Sequence, residues 1–405
     1  MAMGLPAITL RLAGIDTSPE VAVAVFGLGI LSAAFLLGAA SEASQHDIPA
    51  SLSLALLAFV AVLPEYAVDL LFAWRAGTDP EQAQFAIANM TGANRLLLGI
   101  GWSFVLFAFI ARNKWIVRSP QRVLTLPRTI NLEIVAMGLA TLVAFVIPLV
   151  GNINLIMSAV LLAIFGWYLF RLSRQAVEEP DIGGPAAVVT DLPAVRRRIV
   201  VVLLFAYAGL AIILSAEPFA DGLIELGESL GIDEFLLVQW LAPLASESPE
   251  FLAALYLVWR GAARHGMTAL ISSKVNQFTL LIASLPIAFA ISGGTLDGLP
   301  MDSRQEGEVF LTAAQSLLGV LIILDRRFTI AEAVVLAGLF LAQFLFTDND
   351  IRLGFAIAYL VLAGAMLIRR YQLIPPVLAD AFSRGAIPAD EPEEAEPQKA
   401  DPQQA

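Results

Sequence analysis

The sequence predicts an all-α polytopic membrane protein with about eleven transmembrane helices, laid out as two inverted five-helix repeats plus one extra C-terminal helix. Three observations lead there. Of 405 residues, 58% are hydrophobic and 15% charged. A soluble chain carries about a quarter charged residues, so lipid rather than a single aqueous core must take up this much apolar surface. Apolar runs of about 20 residues, the length that crosses a bilayer as a helix, recur along the chain. One polar pattern, Pro-Glu followed by Trp-Arg, occurs once in each half.

In order, the spans fall near 20–42, 51–76, 82–111, 130–149, 152–173, 199–229, 233–260, 266–292, 307–325, 328–346 and 351–368. Only Val150, Gly151 and Asn152 separate the fourth from the fifth, which predicts a tight helical hairpin. Residues 20–173 form the first half, and 199–346 the second. Between them, 174–198 reads as a cytoplasmic linker, with Glu178-Glu179-Pro180-Asp181 and Gly183-Gly184-Pro185 as its turn-forming stretches. Residues 347–370 hold the extra helix, and 380–405 read as a disordered acidic tail carrying part of the net charge of -12. The stretch before Val21 lacks a basic region followed by a small-residue cleavage site, so the first span is expected to be retained.

An odd number of spans puts the termini on opposite sides. On that count 18 of the Lys and Arg residues, from Arg112 to Lys399, fall on one side and four (Arg11, Arg75, Arg304 and Arg352) on the other. The positive-inside rule then places the C-terminus in the cytoplasm and the N-terminus outside, in an integral protein of a bacterial-type plasma (inner) membrane. The basic residues are thereby topological, and no nucleic-acid partner is expected. There is no cysteine, and His46 and His265 both fall in expected loops. That excludes disulfides and argues against a thiolate or His-rich metal centre. With no HExxH motif and no nucleophile dyad in a span, an enzyme is not expected.

The repeat carries the functional signal. Pro64-Glu65-Tyr66 leads to Trp74-Arg75, and Pro249-Glu250-Phe251 leads to Trp259-Arg260. The copies lie five spans apart, so they run in opposite directions through the membrane. Each is followed by a polar-studded span, Asn89 to Arg95 in one and Ser272 to Gln277 in the other. Inverted repeats interrupted at matching places point to a transporter site near the midplane. Glu65 and Glu250 sit in mid-span, where a carboxylate is costly and usually functional. Each follows a proline that cannot donate to the carbonyl four residues back, and a freed carbonyl beside a carboxylate offers hard oxygens suited to Na⁺ or Ca²⁺. Helical spacing adds Asp69 to the face of Glu65, and Glu247 to that of Glu250. Ser246, Asn89, Asn94, Asn276 and Thr279 supply neutral oxygens. Arg95 and Lys274, the two basic residues inside spans, are expected to pair with these acids and balance part of their charge.

These residues resemble the cation/Ca²⁺ exchanger superfamily, the sodium/calcium exchanger membrane region. Its repeat reads roughly G-[ST]-S-x-P-E, a gap, then G-N-x-x-G-S-N-x-x-[ND]. The copies here span 61–97 and 245–280. The resemblance implies that Glu65 and Glu250 are the central cation-coordinating acids. It also implies alternating access, with long spans one and six sliding past a bundle that holds the repeats. The chain departs from the pattern: Ala61 and Val62 replace a hydroxyl pair, Ala93 and Val275 stand for the serine of G-S-N, and Leu97 and Thr279 for the later Asn or Asp. The expectation is a secondary active antiporter exchanging Ca²⁺ or Na⁺ against Na⁺ or H⁺. A cation channel or ion-sensing membrane regulator on the same scaffold is the alternative. No cofactor is expected beyond the transported cation, and the partners are the lipid bilayer and small inorganic cations.

Overall fold

The computed structural model describes residues 4–44, 47, 63–175, 188–344, 346, 348–383, 385 and 387. Apart from two short ribbons and the connecting turns, it is helical. Eight stretches are long and apolar enough to cross a membrane: Pro19–Ala40, Pro80–Val117, Arg128–Val150, Leu155–Leu172, Ala194–Leu230, Ala263–Gly293, Ser303–Asp325 and Asn349–Phe382. The other three predicted spans fall outside that set. Only Leu63–Ala76 of the second lies among the described residues. Glu234–Arg260 has the length but carries Gln239 and the Ser246–Glu250 stretch in its middle, and Ile330–Phe344 has 15 residues.

The first half runs α1 (Leu5–Ala13), α2 (Pro19–Ser44), α3 (Leu63–Ala76), α4 (Ala83–Leu96), a π-helical turn (Leu97–Gly101), α5 (Trp102–Arg112), α6 (Asn131–Val150) and α7 (Leu155–Leu172). The second runs α8 (Ala194–Leu230), α9 (Glu234–Arg260), α10 (Ala263–Asn276), a π-helical turn (Gln277–Leu281), α11 (Ile282–Gly293), α12 (Ser303–Ile322) and α13 (Ile330–Phe344). Beyond both come α14 (Asn349–Arg370) and α15 (Ile374–Phe382). Local chemistry sets these boundaries. Asn154 caps α7 by accepting from Ile156 and Met157 N–H, and Asp302 and Gln305 form a capping box at α12. The predicted hairpin between α6 and α7 turns at Gly151, whose φ of 75° closes α6 in the left-handed region that favours glycine.

The short α1 and α15 were not expected from the apolar pattern. Docking of α15 also corrects the reading of 380–405 as tail from its first residue. Arg128 donates twice to the Asp380 carboxylate, at 2.8 and 2.7 Å, and Asn131 once, at 2.7 Å. Arg171 reaches the Ala381 and Gly385 carbonyls. These bonds fasten the segment across the start of α6 and the end of α7, while 388–405 lies outside the described residues. The linker likewise ends early, because α8 begins at Ala194; residues 176–187 lie outside the described set. Arg197, inside that corrected stretch, pairs with Asp47 at 2.6 Å and holds its carboxyl well below the usual carboxylate range. A depressed folded-state pKa contributes stability above the unfolded value of ~3.9, and that stability is lost as pH falls through the folded value. Asp47→Asn is therefore expected to lower the thermal midpoint at pH 7, and to match wild type once acid protonates Asp47.

Two antiparallel ribbons join the halves. β1 (Val123–Thr125) pairs with β4 (Arg327–Thr329), and β2 (Asn152–Ile153) with β3 (Leu299–Pro300). Helix α6 leaves the first ribbon and ends at the second, whereas α12 leaves the second and ends at the first. These helices, 20 residues each, pack on one another and run oppositely, which is the inversion that the motif spacing predicted. Long α2 and α8 lie along each other, and α14 packs on α12.

Helices α4 and α9 approach each other closely at Gly92, where a Cβ would stand 1.8 Å from the Gln239 carbonyl oxygen. A backbone oxygen cannot yield as a side chain can, so Gly92→Ala must force the helices apart. We expect a loss of about 3 kcal/mol, the upper end for overpacking, seen as a lowered thermal midpoint in detergent. Gly138→Ala on α6, whose nearest neighbour would lie 3.8 Å away, serves as the near-neutral control.

Candidate ion site

Four helices supply the predicted residues. Glu65 and Asp69 come from α3; Asn89, Asn94 and Arg95 from α4; Ser246, Glu247 and Glu250 from α9; and Lys274 and Asn276 from α10, with Thr279 in the π-helical turn that follows. Pro249 lies inside α9 and leaves the Ala245 carbonyl without its helical donor. Glu65 and Glu247 are 2% exposed and Asp69 is fully buried; Glu250 is half-buried. The acids of the two halves meet. The Glu65 carboxyl faces that of Glu247 at hydrogen-bonding range, and Asp69 and Glu250 lie within electrostatic reach of it.

A carboxamide orients one acid of each half. Asn89 Nδ2 donates to Asp69 Oδ1, and Gln277 Nε2 to Glu247 Oε1, both at 2.8 Å. Among the described residues, both Glu65 oxygens, Asp69 Oδ2, Glu247 Oε2 and Glu250 Oε2 are buried without a hydrogen-bond donor. Buried oxygens in that state are expensive unless a cation or a proton satisfies them. Among the described residues no three His, Asp or Glu side chains converge as a ready metal cage, so in this conformation Glu65 and Glu250 do not close one by themselves. Ser246 and Thr279 point their hydroxyls back to their own helices, at Ala242 and Val275 carbonyls.

The two buried cations part company. Lys274 Nζ donates to Asn94 Oδ1 at 2.7 Å and to the Asn94 carbonyl at 3.0 Å, within electrostatic reach of Glu65 and Glu247. Arg95 does not pair with the site acids as expected. Its Nη2 lies 2.5 Å from Glu308 Oε2 on α12, and its guanidinium stands over Trp240. Arg352, expected on the external surface, is 4% exposed and pairs with the other Glu308 oxygen. Gln239 completes the group, donating to Glu308 at 3.0 Å and to Thr91 at 3.2 Å. Arg95 thus has its own counter-charge, and among the described residues Lys274 alone offsets the four site acids.

Sequence reasoning missed Glu308, Gln239 and Glu133. Buried Glu133 on α6 accepts from Ser272 at 3.3 Å and Tyr168 at 3.4 Å. Each is a polar residue in an apolar span, and that was the available signal. The π-helical turns also shift the repeat alignment. Both α4 and α10 are 14 residues long and run directly into a five-residue π turn. Superposing these elements sets Ser273 opposite Ala93, Lys274 opposite Asn94 and Gln277 opposite Leu97. The serine of the second copy is therefore Ser273, not lost at Val275.

Comparisons with known proteins bear on the family and the fold. The family model described as sodium/calcium exchanger protein matches residues 20–174 and 200–347. Among solved structures, an H⁺/Ca²⁺ exchanger, CAX, is 42% identical over 94% of this chain and 95% of its own, with a TM-score of 0.90. YfkE in its native form is 15% identical, covering 89% and 98%, with a TM-score of 0.63. The sodium-calcium exchanger NCX_Mj is 16% identical, covering 81% and 99%, with a TM-score of 0.52; these last two support the fold alone. No curated protein sequence matches significantly. From the matched extent of both halves and the likeness to CAX, the chain belongs to the sodium/calcium exchanger protein family.

Proposed function

We propose that this protein is a secondary active cation antiporter that exchanges Ca²⁺ for H⁺ by alternating access. Family membership supports cation exchange, and the 42% identical relative is an H⁺/Ca²⁺ exchanger. The observation that carries the reading is the meeting of Glu65 and Asp69 with Glu247 and Glu250, buried and with oxygens that find no donor among the described residues. Carboxylates so placed accept either a divalent cation or protons, and occupancy by one disfavours the other. Helices α2 and α8, the counterparts of spans one and six, flank this bundle, and their shift would open the site to either side in turn. The N-terminus is placed outside and the C-terminus in the cytoplasm by the basic-residue count.

The test is flux in proteoliposomes. Ca²⁺ uptake is measured against an imposed pH gradient and separately against a Na⁺ gradient. Uptake driven by the pH gradient alone is the expected result. Uptake driven only by Na⁺ would assign the counter-ion to Na⁺, and uptake needing no counter-ion would make the protein a channel.

A further inference from the structure

We propose that Lys274 is a tethered counter-cation of the ion site, its ammonium standing where the second repeat would otherwise offer a neutral oxygen to a mobile monovalent ion. This rests on the exchanger reading above and specifies which ions that site accepts.

Lys274 and Asn94 are equivalent positions of the two repeats, 180 residues apart, and they touch: Nζ is 2.7 Å from Asn94 Oδ1. In an inverted repeat, equivalent residues meet where the axis relating the halves passes between them. Two carboxamides meeting there would present two oxygens to a cation between them. Here one is a lysine, and its ammonium takes the cation's place against the remaining oxygen at an ordinary charge-assisted distance. The environment is that of a bound ion, not of a surface lysine. Lys274 is 0% exposed, its Nζ stands 4.2 Å from the Phe278 ring centroid, and Glu65 and Glu247 lie within electrostatic reach. Its hydrogen bonds go to the neutral oxygens of Asn94, which leaves the carboxylates available to a transported ion. A covalently held charge cannot be carried across the membrane. The site thus takes one monovalent cation fewer, and Na⁺ finds that place filled.

The variant is Lys274→Gln, which restores a carboxamide opposite Asn94; Lys274→Arg keeps the charge. Ca²⁺ binding to purified full-length protein is followed by calorimetry with and without NaCl or NH₄Cl, using choline chloride to hold ionic strength. Wild type and Lys274→Arg are expected to bind Ca²⁺ with no Na⁺ or NH₄⁺ dependence beyond that of choline. Lys274→Gln is expected either to become competitive, its apparent Kd rising roughly tenfold when the monovalent ion is at ten times its own Kd, or to lose Ca²⁺ binding and regain it with NH₄⁺. Ca²⁺ binding in Lys274→Gln that is as indifferent to both ions as wild type overturns the proposal. So does binding that is lost and restored by neither. If Lys274→Gln does not elute as monodisperse protein, Lys274→Met is judged by the same criteria. Failure of both to fold beside a folded Lys274→Arg makes the residue a scaffold pin and also overturns it. Wild type that binds no Ca²⁺ defeats the exchanger reading itself, a separate result.

Discussion

Glu65→Gln is expected to abolish exchange while leaving the fold intact. Glutamine keeps the shape of the side chain and can donate to Glu247, which the carboxyl of Glu65 already faces, so packing survives. The charge does not. Two unit charges 4 Å apart interact by about 4 kcal/mol at an effective dielectric of 20, so losing one ligand charge costs roughly a thousandfold in affinity, and more for a divalent ion. The proton-carrying capacity of the position goes with it. Glu250→Gln should behave alike if the halves contribute equally; its greater exposure permits a smaller loss. The checks are pH-driven Ca²⁺ uptake in proteoliposomes and Ca²⁺ calorimetry on monodisperse protein. Uptake in both variants within tenfold of wild type would remove the two glutamates from the mechanism.

Glu308→Ala is expected to destabilise the protein by about 3–5 kcal/mol, the cost of leaving buried charge unpaired. Glu308 is 1% exposed and is shared by Arg95 from α4 and Arg352 from α14, so its removal strands two guanidinium groups. Removing charge from both sides should be milder. A triple variant, Glu308→Leu with Arg95→Met and Arg352→Met, is expected to recover much of the loss, because a well-packed apolar replacement of a buried ion group is often neutral or stabilising. Thermal unfolding in detergent measures both. A Glu308→Ala protein that melts like wild type would mean water already reaches this group.

The same group shows where sequence reading stops. Glu65 and Glu250 were legible because a carboxylate after a proline in mid-span is costly and because the pattern recurs beside Trp-Arg. Glu308 was not. The span was drawn from 307, so Glu308 looked like a polar residue at a membrane edge; the capping box at Asp302 starts the helix earlier and carries Glu308 inside. Arg352 was misplaced for the same reason, since the Asp348 cap starts α14 at Asn349. Pairing of Arg95 with Glu308 was invisible because hydropathy gives depth but not which faces meet. The π turns left no compositional trace, as Leu-Leu-Gly-Ile-Gly and Gln-Phe-Thr-Leu-Leu share no pattern. Only the backbone reveals that they match, and with them the register that sets Lys274 opposite Asn94.

The ribbons constrain how such a molecule can work. β1 with β4 and β2 with β3 are too short to be stable sheets alone. Their positions at the two ends of α6 and α12 nonetheless tie the halves into a closed mechanical loop. Sliding α6 along α12 would break pairings at both ends at once, since a strand cannot slip one residue without turning its side chains to the opposite face. Both pairings therefore oppose axial translation of α6 against α12. No ribbon among the described residues ties α2 or α8 to this loop, so the shift proposed for that helix pair would leave both ribbons intact.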